Sequence, residues 1–471
     1  MEGDKLKDQH VVILGLARQG VALARYLAQV GAEVTVSDLQ DEDALADQLE
    51  QLEDLSIRHA LGGHPIDLLD DADLLCLSGG VPLDIPIVEA ARDRGVPLSN
   101  DAQIFLENCR APVIGITGSA GKTTTTVLVG EMCRTAGLRT WVGGNIGNPL
   151  ISDLAAIGPD DRVVMELSSF QLALMTSSPH IAAVLNVTPN HLDRHKTMEA
   201  YIAAKKSIVA HQVAEDVALL GYDDANARAM ALETPARLVF FSGGAEVEAG
   251  AFKTNGELTL RMHGRDRDIC KASEVPLLGK HNLLNVLAAS ALASVAGVPL
   301  AAIRQVATTF SGVDHRLELV RELNGVRWYD DSIATAPERS LAAIRSFEDP
   351  VILLAGGRDK DLPWDAFAEE AVHRVRHLIT FGEAGPMIAQ KVAATKEEHA
   401  AAPEGKQIVG KLESISRAET LQQAVETAEH LAEPGHVVLL APGGTSFDAF
   451  RDFAERGDHF KTLVRQLGEG R

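Results

Sequence analysis

A short apolar run, Val113–Ile116, opens into Thr117–Gly118–Ser119–Ala120–Gly121–Lys122–Thr123, and Thr124 to Thr126 then begin a helical pattern. The order matters chemically. Glycines let successive backbone N–H groups point into one concavity, and a helix N-terminus adds partial positive charge, so the turn is suited to phosphate. Lys122 then offers an ammonium to the outer phosphates of a nucleotide, and the Thr123 hydroxyl offers a ligand to Mg2+. The usual P-loop spacing asks for glycine five residues before Gly121. Ile116 stands there, with glycines at 115 and 118, so this loop is a variant. A glycine turn that merely caps a helix would account for one or two glycines, but not for strand, Gly-Lys-Thr and helix together.

Three further places carry candidate chemistry. Glu166 closes the apolar strand Val163–Glu166 and precedes Ser168–Ser169–Phe170–Gln171, which puts a carboxylate fit for Mg2+ at the edge of a sheet. Asn186 to His195, reading NVTPNHLDRH, follows another strand and brings His191 to the same edge. By spacing alone, Lys205 and Lys206 in YIAAKK are solvated surface lysines, and Asn282 and Asn285 after Gly279 read as a helix start or a capping arrangement. Gly15–Leu16–Ala17–Arg18–Gln19–Gly20 is an imperfect dinucleotide fingerprint, since Ala17 replaces the second glycine. A dinucleotide site, another nucleotide site and plain helix–strand packing all remain open there; Asp38, at the end of the next strand, favours a polar ligand.

These groups need rigid elements to hold them. Val11–Leu14, the helix pattern to Leu27 and the strand Glu33–Val36 form a βαβ unit, and Leu74–Leu77 adds a strand that ends in Ser78–Gly79–Gly80. From about Asp101 the strands Val113–Ile116, Val163–Glu166 and Ile181–Val187 alternate with helices, and Leu238–Met262 reads as short antiparallel strands. After Ser311–Gly312 the alternation returns with Val351–Ala355, Leu378–Phe381 and Val437–Leu440. The expected fold class is therefore α/β in three domains: a Rossmann-like unit over 1–100, a P-loop-type ATPase unit over 101–312 and a second Rossmann-like unit over 313–471. A chain of 471 residues is long enough for about three cores.

Composition narrows the function. A net charge of -22 repels a polyanion over most of the surface, so nucleic acid is not an expected partner. No stretch approaches the ~20 apolar residues needed to span a bilayer, and the N-terminus is charged, so no membrane insertion and a cytoplasmic location are expected. Cys76, Cys109, Cys133 and Cys270 lack CxxC spacing and suggest neither a disulfide framework nor a zinc site.

Taken in order, GITGSAGKTTTT, MELSSFQL, NVTPNHLDRH, YIAAKKSI, GKHNLLN, DHRLE, DDSIAT, GGRDK and APGGTSFDAFRDFAERG resemble the Mur ligase family over essentially the whole chain. The final motif and the short first domain look like its D-glutamate-adding branch rather than its sister ligases or folylpolyglutamate synthetase. The resemblance implies an ATP-dependent ligase that adds D-glutamate to UDP-N-acetylmuramoyl-L-alanine (UDP-MurNAc-L-Ala) through an acyl phosphate, in peptidoglycan precursor synthesis, and acts as a monomer. Another amino acid such as L-glutamate, or another acceptor, is the alternative.

It also implies site residues. Gly118 to Thr124, Asn282, Asn285, Arg316 and Asp331 would hold ATP. Thr123, Glu166, His191 and a carbamylated Lys205 would hold two Mg2+ ions, with Lys122, Glu166, His191 and Lys205 as the catalytic set. Gly15, Leu16, Ala17, Arg18, Asp38, Ser78, Gly79, Gly80, Asn145 and His191 would hold the UDP substrate, and Thr335, Lys360, Ser446 and Phe453 the glutamate. This chain departs from the family at Ile333, where a lysine is usual, at Asn190 for an aspartate, at Gly79 for a proline and at Gly443–Thr445. Ile333 bears on which amino acid is added. Two other classes compete: a nucleotide-gated binding protein without ligation, and a dinucleotide oxidoreductase, after whose N-terminal turn no hydride-transfer site follows.

Overall fold

The computed structural model describes residues 5–277, 279–360, 362–401 and 410–468. Among these residues there are three sheets, and the chain divides into two compact units, Met1–Phe310 and Ser311–Arg471.

The first sheet has five parallel strands in the order Ile57–Leu61, Glu33–Asp38, His10–Leu14, Leu74–Leu77, Leu98–Ser99. Val11, Val12, Ile13 and Leu14 are all fully buried, as expected for a strand covered on both faces. The strand order reverses between His10–Leu14 and Leu74–Leu77. Helix Arg18–Gln29 starts at that switch point, where a parallel sheet presents its binding crevice.

The second sheet has nine strands in the order Arg265–Lys271, Glu257–Met262, Gly250–Thr254, Arg237–Ser242, Val217–Gly221, Ile181–Val184, Val113–Thr117, Arg162–Glu166, Thr140–Gly144. Seven of them, from Gly250–Thr254 to Thr140–Gly144, are parallel. The expected antiparallel stretch is thus displaced. Arg237–Ser242 pairs parallel on both sides, and the meander is Gly250–Lys271, whose first turn is tight at Asn255–Gly256. The aromatic pair Phe240–Phe241 lies in a covered strand, and a short apolar run cannot reveal which neighbours it has. Likewise Ile181 begins a strand that ends at Val184, not Val187, because Asn186 turns into the phosphate loop. Both sheets of this unit share one hydrophobic cluster, from Val11 and Leu27 through Phe105 and Leu154 to Val184 and Leu220.

The second unit carries a six-stranded sheet in the order Glu318–Leu323, Val326–Asp330, Val437–Gly443, Val351–Gly356, Val375–Phe381, Ser414–Arg417; its first pair alone is antiparallel. Cys76, Cys133 and Cys270 are buried and all four cysteines are free. Among the described residues no helix is long and apolar enough to cross a membrane.

Candidate active site

Four neighbouring parallel strands of the second sheet release polar residues at one carboxyl edge: Thr140–Gly144 leads to Asn145, Arg162–Glu166 ends on Glu166, Val113–Thr117 enters the loop, and Ile181–Val184 leads to Asn186. The loop Gly118–Gly121 is held from below. Ser119 and Ala120 donate their N–H groups to the backbone and side-chain oxygens of Asn186, each at 2.9 Å, and the Asn186 amide returns a bond to the Ala120 carbonyl at 3.1 Å. Gly121 caps helix Lys122–Thr135 with φ of 85°, and a Cβ there would lie 2.3 Å from Oδ1 of Asn285. Only glycine suits both constraints. That approach places Asn285, buried on helix Lys280–Val295, against the loop, and its amide donates to Asn282 at 3.0 Å. Gly279 caps this helix with φ of 91°, and Asn282 stands in its first turn.

Glu166 is 2% exposed. Its Oε2 accepts from the Thr123 hydroxyl at 2.8 Å and its Oε1 from the Asn145 amide at 3.0 Å. Both of these donors are neutral, and a buried carboxylate held by neutral donors is a place where a cation is stabilised. Thr123 and Glu166 together offer adjacent hard oxygens, the donor set Mg2+ prefers, so the residues fit that ion. Lys122 curls back onto the Gly118 carbonyl at 2.9 Å, and Thr124 is buried in the first helical turn.

Lys205 is the main correction to the sequence reading. It is not a surface lysine but 1% exposed, with its ammonium 3.2 Å from the Thr117 hydroxyl and 3.0 Å from the same Gly118 carbonyl. Its helix, Met198–Ala210, buries Tyr201, Ala204, Ile208 and Val209 against the unit, and Lys205 lies on that face, while Lys206 pairs with Glu233 at 3.3 Å. Burial first, then repulsion from Lys122, pushes the Lys205 ammonium down to about 6, against a smaller opposing pull from Glu166. At neutral pH the amine is therefore mostly uncharged.

His191 has a left-handed backbone, φ of 53°, and its exposed ring meets the Phe170 ring edge-on at 5.4 Å. Phe170 also stacks on His195 and lies under the Arg194 guanidinium, each about 5 Å away. His195 bonds Ser169 at 2.9 Å and packs on Tyr201, whose hydroxyl lies 3.0 Å from Ser119 Oγ. Arg194 reaches the first sheet, donating to the Gly80 carbonyl at 3.1 Å. Asn186, Tyr201 and Arg194 were missed in the sequence. Only Asn186 gave a signal, as the first polar residue after a buried strand.

At the switch point of the first sheet, Asp38 accepts from Leu16 N–H at 2.7 Å and from Gln40 N–H at 2.9 Å, so its carboxylate fixes the Gly15–Leu16 turn. Ser78 bonds the Gly15 carbonyl at 2.7 Å, and a Cβ on Gly20 would lie 2.0 Å from that oxygen. Ala17 caps the helix that begins at Arg18, and Gly79 faces Gln19. The two turns, Gly15–Arg18 and Ser78–Gly80, thus lie side by side at the carboxyl edge.

In the second unit the candidate residues again gather at strand ends. Asp331 follows Val326–Asp330, Lys360 follows Val351–Gly356, and Ser446 follows Val437–Gly443; these strands are adjacent. Backbone bonds tie the three loops: Gly443 N–H to the Ala334 carbonyl at 2.8 Å, and Arg358 and Thr445 to each other in both directions, at 2.9 and 2.8 Å. Thr335 sits in the first loop, and the Phe453 carbonyl accepts from Ser332 Oγ at 2.7 Å. The fully buried Arg456 donates to the carbonyls of Ser332, Gly444 and Thr445 and pins two loops together; sequence inspection did not single it out. Burial raises the Asp331 carboxyl to about 7, opposed chiefly by Arg316. Nearby, ligand atoms of His315, Glu318 and Asp330 lie within 4.8 Å of one another. Lys461 is 3.2 Å from Glu318 and His315 is 2.7 Å from Asp330, so the group is an ion-pair network.

Three family models match in succession: the Mur ligase MurD-like N-terminal domain over residues 9–100, the Mur ligase middle domain over 116–293, and the Mur ligase glutamate ligase domain over 315–444. A UDP-N-acetylmuramoylalanine–D-glutamate ligase of Symbiobacterium thermophilum is 44% identical over 469 residues, covering 99% of this chain and 100% of the relative. The chain belongs to the Mur ligase family. A second relative of this Mur ligase, named the same way, from Acetivibrio thermocellus, is 42% identical over 463 residues, 98% of this chain and 97% of that protein. Among solved structures, the UDP-N-acetylmuramate–alanine ligase MurC of Thermotoga maritima shares the fold, with a TM-score of 0.55 at 19% identity over 97% of this chain and 99% of that one. MurF of Acinetobacter baumannii does so with a TM-score of 0.55 at 18% identity, over 98% and 93%.

The raised Asp331 carboxyl has a stability consequence. A carboxyl whose folded pKa exceeds its unfolded value contributes stability that is present below about pH 4 and lost as pH rises through about 7. Asp331→Asn should therefore stabilise the full chain against urea by roughly 2–4 kcal/mol at pH 8 and change little at pH 4. An equal effect at both pH values would contradict the burial of a titrating carboxyl.

Proposed function

We propose that this chain is a UDP-N-acetylmuramoyl-L-alanine–D-glutamate ligase, forming ADP, with the muramoyl substrate on residues 1–100, ATP on 101–312 and glutamate on 313–471. The observation that carries the reading is the phosphate loop placed beside a buried carboxylate, Glu166 on Thr123. In this reading the Gly118–Thr124 turn, whose Ser119 and Ala120 N–H groups are held by Asn186, and the Lys122 ammonium receive the outer phosphates, and Asn282 and Asn285 receive the rest of the nucleotide. Thr123 and Glu166 would hold one Mg2+, and His191 with Lys205 a second. Bound there, the ions would neutralise charge on the phosphates.

The chain's own groups set the order of events. Asn145 and the turns at Gly15–Arg18 and Ser78–Gly80, with Asp38 behind them, orient the muramoyl substrate so that its carboxylate faces the γ-phosphate. Attack there gives an acyl phosphate and ADP. The neutral amine of glutamate, held by Thr335, Lys360, Ser446 and Phe453, then attacks the carbonyl, forming the amide and releasing phosphate.

Lys205 must change charge to serve a cation. Its amine, uncharged because it is buried and repelled by Lys122, is the form that adds to CO2: a C–N bond forms, the amine loses a proton and an N-carboxylate results. That carboxylate would lie beside Thr117 and Gly118 in place of an ammonium.

Purified protein given UDP-MurNAc-L-Ala, ATP and Mg2+ should release ADP with D-glutamate and not with L-glutamate, and Lys122→Ala should lower the rate by a factor of about 100 or more. No ADP with any amino acid would end the ligase reading, and turnover with L-glutamate alone would move it to the other enantiomer. In bicarbonate enriched in 13C, the protein should show one carbamate carbon resonance that is missing from Lys205→Arg. Identical spectra from the two proteins would remove the modification.

A further inference from the structure

The residues expected to meet the amino acid include one cation, Lys360, yet the structure gathers more positive charge around it. Lys360 follows the Arg358–Thr445 backbone pair, and the neighbouring Asp359 accepts from the Trp364 indole at 3.0 Å. Trp364 packs against Gly443, whose N–H bonds Ala334 in the first loop. On the helix after that loop, Pro337–Ile344, Arg339 turns back so that Nη1 lies 3.5 Å from the carbonyl of Ile333. Ile333 itself brings no charge to the loop.

The two side chains feel one another. The Lys360 ammonium is held below its ordinary value by desolvation first, then by Arg339 and Arg456. Of these cations, Arg456 is fully buried and committed to three backbone carbonyls and Ser332. Arg339 and Lys360 are exposed, and among the described residues neither forms an ion pair with a carboxylate. Asp331, on which Arg339 acts weakly, has its carboxyl raised to about 7 by burial. Backbone bonds tie together the three loops that present these two exposed cations, with Arg339 folded back on Ile333, and two carboxylates on one small molecule match two cations.

We infer that Arg339 is a specificity-determining residue of this pocket: with Lys360 it forms a two-cation cradle that selects an amino acid carrying two carboxylates, one for each cation. The inference rests on the reading that residues 313–471 receive the incoming amino acid. A guanidinium can take a carboxylate through two parallel N–H bonds, so it fixes orientation as well as charge. Lysine at 339 would keep the charge and lose the fork.

The test is steady-state ADP release by the full-length enzyme, with each of the three substrates varied in turn. For Arg339→Ala the KM for D-glutamate should rise roughly 10- to 100-fold while the KM values for ATP and UDP-MurNAc-L-Ala stay within about twofold, and Arg339→Lys should recover part of the loss. The parent should favour D-glutamate over D-glutamine strongly, and Arg339→Ala should lose most of that preference. A glutamate KM unchanged in Arg339→Ala overturns the inference and leaves the ligase reading intact. A rise confined to the KM for ATP also overturns it, since Arg339 would then act through Asp331. If the parent releases no ADP with glutamate, the ligase reading and this inference fall together. Thermal melting of each variant separates a lost contact from a lost fold.

Discussion

The structure is organised around a buried carboxylate, Glu166, held by a hydroxyl and an amide. Glu166 sits at the end of a covered strand, satisfied by a threonine hydroxyl and an asparagine amide, and a charge so placed is tolerated only if something positive is drawn to it. The strand neighbours on either side supply the partners: Thr123 comes from the first turn of the helix that follows Val113–Thr117, and Asn145 from the turn after Thr140–Gly144. Parallel pairing fixes their register, for Ile116 stands opposite Glu166 and Gly144 opposite Glu166 on the other side. Moving Arg162–Glu166 by one residue would turn the carboxylate to the opposite face of the sheet.

The second constraint is that cations crowd the same loop. Lys122 and Lys205 both reach the Gly118 carbonyl, and two ammonium groups sharing one acceptor cannot both stay charged at low cost in a buried place. Lys122 is less buried and Lys205 yields. The outcome is a neutral amine beside a phosphate loop, a reactive state that a surface lysine never reaches. In the second unit the Lys360 ammonium is likewise held low, by desolvation first and then by Arg339 and Arg456.

Much of this was legible in the sequence, and what was not has physical reasons. The strand, glycine loop and Gly-Lys-Thr at 113–123 specify a local structure completely, because the chemistry and the backbone conformation reside in consecutive residues. Glu166 was legible because a carboxylate that closes an apolar run must lie at a sheet edge. Lys205 was named only through the family resemblance, and its burial was not legible from spacing, since only tertiary packing separates it from the part-exposed Lys206 on the same helix. Asp38 was visible as a carboxylate at a strand end, and the structure adds that it accepts from the Leu16 N–H of the neighbouring turn. The parallel pairing of Arg237–Ser242 escaped because neighbour identity is a long-range property. Arg456 and Arg339 escaped for the same reason, as their partners lie on loops distant in the chain, apart from the short return of Arg339 to Ile333.

The central claim is that Glu166 and Thr123 are poised for a divalent cation beside nucleotide phosphates. Binding of Mn2+, followed by its paramagnetic resonance signal in the presence of ATP, tests it most directly. The parent protein should take up the ion with ATP, and Glu166→Gln, which keeps the shape and removes the charge, should bind it about 10- to 100-fold more weakly. Equal uptake by the two proteins would contradict the account.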